Sequence, residues 1–114
     1  MRLEARKYLY DMQEAAALAV QFTAGKDFAE YEGNPMLRLA VERTFAIIGE
    51  ALVQLTRLDA ALAARITESH SIIAFRNILV HAYAQVDDRI VWGIVQTKLP
   101  VLVREVAALM AEGD

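Results

Sequence analysis

The chain contains no cysteine, which removes disulfides, thiolate nucleophiles and cysteine-ligated metals from consideration. Only two histidines occur, His70 and His81. They form neither the Glu-x-x-His pair of di-iron bundles nor a His-Glu-x-x-His motif, so a metal site is not expected. A Gly-rich phosphate loop and a Gly-x-Ser-x-Gly elbow are both missing, which leaves no cofactor motif and no foothold for a serine hydrolase. No apolar run approaches the ~18 residues that span a bilayer. The opening stretch MRLEARKYLYDMQEA is charged throughout and lacks a signal peptide's apolar core, so a cytoplasmic protein without membrane attachment is expected. Long basic blocks are absent too, and the formal charge is −3. That argues against non-specific attraction to a nucleic-acid backbone and leaves room only for a local cationic site.

With two prolines and five glycines in 114 residues, little interrupts helix formation. Hydrophobic residues reach 56%, above the roughly 45–50% of ordinary soluble domains. One domain of this length has more apolar surface than it hides easily, which points to association through helix faces. Residues 3–23 place Leu3, Tyr10 and Ala17, and separately Met12, Ala15, Ala19 and Phe22, at helical spacing, with Gly25 as the expected C-terminal stop. KDFAEYEGN reads as a connector with one helical turn. NPMLRLAVERTFAIIGEAL opens a helix with Asn34 as N-cap and Pro35 in the first turn, and Leu37, Val41, Phe45, Ile48 and Leu52 form a buried stripe. Gly49 inside it costs about 1 kcal/mol relative to alanine, which a close helix contact would explain. LDAALAARI is a short helix, and TESHS supplies capping residues for another over Ser69 to His81 or Tyr83. AQVDD breaks the chain with Asp87 as the next cap, and the last helix runs to about Met110 with a kink or hinge at Pro100. The expected architecture is all-α: a single domain over 1–114, folded as a four- to five-helix up-and-down bundle.

The polar residues of RNILVHAY stand out in an otherwise apolar segment. Asn77 and His81, four apart, share a helix face, and Arg76 and Tyr83 share another. An imidazole exchanges protons near neutrality, and a guanidinium holds a phosphate through parallel hydrogen bonds. Together they suit RNA cleavage by its own 2′-hydroxyl without a metal, and two copies across a dimer would supply both acid and base. The same residues could equally form a satisfied polar network in a bundle. Spacing does not separate the two.

As a pattern, IIAFRNILVHAYAQVDDRIVW, with AVERTFAIIGEAL upstream, resembles the HepT-type proteins of the HEPN superfamily, the toxin partners of minimal nucleotidyltransferases. The resemblance implies a HEPN bundle that forms a homodimer, with the Arg-x4-His motifs of both copies lining one cleft and cleaving an RNA substrate without metal. By position, Arg76 and His81 would be catalytic and Asn77 a supporting polar contact. Tyr83 would accept AMP from the nucleotidyltransferase antitoxin, and the added charge and bulk would block the cleft. Arg43 and Glu50 would line that cleft, with Glu50 orienting Arg76, and Arg38, Lys98 or Arg104 would join them to offset the acidic balance. The Pro-Trp pair common before the motif helix in relatives is replaced by TESHS. The competing reading is a non-catalytic helical subunit that binds a nucleotide or regulates a nucleotidyltransferase.

Overall fold

The computed structural model describes residues 1–112, and the side chain of Tyr83 lies outside what it describes. Helix α1 covers Leu3–Thr23 and stops where Gly25 takes a left-handed φ of +73°, a conformation that needs no Cβ. A short α2, Phe28–Glu32, is set by a reciprocal capping box between Asp27 and Glu30. The long α3, Pro35–Leu58, starts where the Asn34 side chain accepts the Leu37 N–H at 3.1 Å, with Pro35 in its first turn. The four-residue α4, Ala60–Ala63, is capped by Asp59. Helix α5 spans Ser69–His81, and a 3-10 turn follows at Tyr83–Gln85. Helix α6, Asp88–Thr97, is capped by Asp87 as expected, and α7, Leu99–Glu112, closes the chain. Five helices of ten or more residues therefore carry an all-α bundle, and no strand occurs among the described residues. Among the same residues no helix is long and apolar enough to cross a membrane.

The core forms around α3. Its expected stripe of Leu37, Val41, Phe45, Ile48 and Leu52 is buried. Against it α1 presents Ala5, Leu9, Met12, Ala15, Ala16 and Ala19. The small alanines let the two helix backbones approach closely. The other row at helical spacing in α1, Leu3, Tyr10 and Ala17, faces outward. Tyr31 of α2 is fully buried, and its ring lies 5.2 Å from that of Trp92, which ties α2 to α6.

Two junctions depart from the sequence expectation. The single terminal helix is cut at Lys98 rather than bent. Pro100 has no N–H to give the Gln96 carbonyl four residues back and crowds it, so α6 ends and α7 restarts with proline in its first turn. At TESHS no side chain caps α5. Glu68 takes the N-cap place with φ +56°, a strained conformation for a residue with a Cβ. Thr67 instead gives its backbone N–H (2.9 Å) and hydroxyl (2.6 Å) to the Glu105 carboxylate on α7, and Glu68 pairs with Lys98 at 2.7 Å. These contacts strap the start of α5 to the α6–α7 corner. Elsewhere α5 packs chiefly on α3. A mostly apolar cavity of about 270 Å³ remains between α5 and α6–α7, lined by Phe45, Ile72, Phe75, Ile94 and Leu102.

Candidate active site

Where α5 crosses α3, Gly49 faces Arg76. A Cβ on Gly49 would overlap the Arg76 Cβ and lie 2.6 Å from its Cγ. The missing side chain lets the arginine stem lie directly on the α3 backbone, the close contact anticipated for this glycine. From there the guanidinium is fixed on two sides. Its Nη2 donates to the Glu50 carboxylate in an ion pair, and its Nη1 donates to Asn77 Oδ1 at 2.9 Å. The Nε–H is buried without a partner among the described residues. Each terminal nitrogen keeps one further N–H, so the fork can still address an oxyanion while its position is held.

Glu50 also accepts a hydrogen bond from Gln54 Nε2 at 3.1 Å. That bond does most to hold its carboxyl below the usual glutamate value; desolvation opposes it, and the hydrogen bond and charge of Arg76 and the charge of Arg57 add to the lowering. Glu50 is thus ionised at neutral pH and available as an anchor. Among the described residues no ion pair joins it to Arg43, seven residues earlier.

These groups border a pocket of about 420 Å³ between α1, α3 and α5. Arg43 sits in it, exposed and without an ion-pair partner among the described residues. Helix α1 adds Lys7, Tyr8 and Asp11, and Lys7 binds Asp11 at 3.1 Å. Nothing in the sequence pointed to α1 here, because the juxtaposition is tertiary and its residues show no motif spacing.

The structure thus joins Arg76, Asn77 and Glu50 and puts Arg43 in the same groove. His81 is the last residue of α5, exposed, with no partner among the described residues. Tyr83 begins the 3-10 turn just beyond, and its role as an acceptor concerns a side chain outside the described residues. Of the other three cations expected at the cleft, two are engaged elsewhere and the third is exposed. Arg38 binds the Glu32 carbonyl and lies 3.8 Å from Asp88, Lys98 pairs with Glu68, and Arg104 is exposed on α7. No cluster of three or more metal-binding side chains occurs among the described residues.

An all-helical bundle with a braced arginine at the edge of a pocket lined by Arg43 and Lys7, and a histidine exposed five residues further along the same helix, defines the class: a small all-helical domain with a polar site on its fifth helix. Comparison with known proteins narrows the class: the chain belongs to the HepT-like ribonuclease family, whose description "Ribonuclease HepT-like" matches residues 12–109. It is 33% identical over 103 residues to a Methanocaldococcus jannaschii protein named "putative RNase", covering 90% of this chain and 94% of that one. It is 31% identical over 102 residues to a Thermococcus cleftensis protein named "probable ribonuclease HepT", covering 90% and 92%. No solved structure matches the chain.

Proposed function

We propose that this chain is the ribonuclease toxin of a toxin–antitoxin pair, cutting RNA without a metal at a cleft between two copies. The observation that carries the reading is the braced guanidinium: Glu50 and Asn77 hold Arg76 with N–H groups to spare, five residues before the exposed imidazole of His81 on the same helix.

In the reaction His81 takes the proton of a ribose 2′-hydroxyl, whose oxygen attacks the adjacent phosphorus. The bond to the 5′-oxygen breaks, leaving a 2′,3′-cyclic phosphate. His81 of the partner subunit gives a proton to the departing 5′-oxygen, and Arg76 stabilises the charge that builds on the non-bridging oxygens. Asn77 keeps the arginine in plane. The antitoxin, a minimal nucleotidyltransferase, moves AMP from a nucleoside triphosphate to the Tyr83 hydroxyl with release of pyrophosphate, and the added phosphate closes the cleft to RNA.

Paired induction of the wild type and His81→Ala in a host without the partner gene tests the proposal, with growth and RNA integrity as readouts. Arrest with RNA loss only in the wild type is expected. If folded, well-expressed wild type harmed neither growth nor RNA, the chain would instead be a binding subunit with RNILVHAY as its docking segment.

A further inference from the structure

Resting on the ribonuclease reading, we infer that the α1–α3–α5 groove is the path of a single-stranded RNA substrate, whose phosphates follow α3 over Arg43, Arg76 and Arg57. Arg43, Glu50 and Arg57 are spaced seven residues apart, which keeps them on one face of α3 over about 21 Å. Arg57 is exposed, and its charge reaches Glu50 at the centre of the stripe. Neither Arg43 nor Arg57 has an ion-pair partner among the described residues. Arg38, Arg65 and Lys98 are paired with Asp88, Glu112 and Glu68 on other parts of the surface, while Arg104 on α7 is exposed without an ion pair among the described residues.

The balance of charge in the groove is therefore cationic although the chain as a whole carries −3. Its two carboxylates, Asp11 and Glu50, are already held by Lys7 and Arg76. What remains unsatisfied along the stripe is positive, as a phosphate track requires. The pocket beside it, about 420 Å³, has Tyr8 in its wall with the Lys7 ammonium 5.2 Å from the ring. A base turned out of the strand meets an aromatic surface and a cation together there. The chemistry also selects a single strand. In-line attack by a 2′-hydroxyl needs a backbone free to leave A-form geometry, which a duplex resists.

The experiment measures affinity for a short 2′-O-methyl oligonucleotide, which binds but lacks the attacking hydroxyl, between about 50 and 200 mM salt. Arg43→Ala and Arg57→Ala should each reduce the salt slope by about 0.7, the share of one single-strand phosphate contact. They should weaken binding alike for every base sequence, and Arg104→Ala on α7 should change nothing. Both arginines are exposed, so the variants keep the fold. Unchanged slopes in both variants, or tighter binding of the same sequence as a duplex, would overturn the track. If wild type still cut unmodified RNA, the ribonuclease reading would survive that result. Wild type that neither bound nor cut RNA would remove both.

Discussion

Glu50 shows how a single carboxylate can serve a cationic site. It repels phosphate, yet it fixes the fork that binds it. Glu50→Ala should release Arg76 and lower the cleavage rate about 10- to 100-fold while leaving the fold intact, because displacement of a positioned group by about 1 Å costs that much. Glu50→Gln keeps an acceptor for Nη2 and should lose less. A rate unchanged in Glu50→Ala would end the positioning role. The same residue has a pH signature. Its carboxyl is held below the ordinary value of 4.5 in the folded chain. The stability it adds is therefore complete above that value and is lost as pH falls through the lower, folded one. With 46% of the side chain exposed, solvent screening keeps the contribution under about 1 kcal/mol. Urea unfolding should show a flatter acid limb in Glu50→Gln than in the wild type.

Much of this site was legible residue by residue. Arg76, Asn77 and His81 declare themselves as polar groups in an apolar helix, and Glu50 lies in the second motif block. Their pairing was less so, since 26 residues separate Glu50 from Arg76 and only tertiary packing brings them together. Lys7, Tyr8 and Asp11 were invisible for the same reason.

Between helices the informative position is Gly49. An exposed helical glycine replaced by alanine gains about 1 kcal/mol from helix propensity. Here the new methyl would enter the Arg76 stem, and α3 and α5 would have to separate. Gly49→Ala should therefore destabilise by about 1–3 kcal/mol, the usual cost of overpacking, and displace the guanidinium from Glu50, so that activity falls with stability. Thermal unfolding and a cleavage assay check both effects. A variant as stable as the wild type, or more so, would mean that the helices part without cost. The sequence marked this glycine and most helix ends because caps are local chemistry: Asn34, Asp87 and Gly25 each act on a backbone within three residues. The start of α5 escaped it. Thr67 is satisfied by Glu105, 38 residues away on α7, and no local rule reports that.

For the whole molecule, one chain offers a single imidazole at the motif end of α5, because His70, also exposed, sits eleven residues away at the other end of the helix, whereas the proposed cleavage needs a base and an acid. A pair of chains solves this only if both His81 side chains work on one phosphate, and that requirement can be separated from mere association. Wild type and His81→Ala, co-refolded in equal amounts, form three kinds of pair. Only pairs with two wild-type copies hold both imidazoles, and under random pairing these are about a quarter of the total in a two-fold dimer. Activity should therefore fall to about a quarter of that of the same total amount of wild type, and it should follow the square of the wild-type fraction across a titration. Independent sites would give half, and a straight line. Sedimentation of the mixture must show a species of about twice 12.7 kDa for the comparison to apply. A monomer with full activity would refute the shared cleft, because Arg76 and His81 would then complete the reaction within one chain.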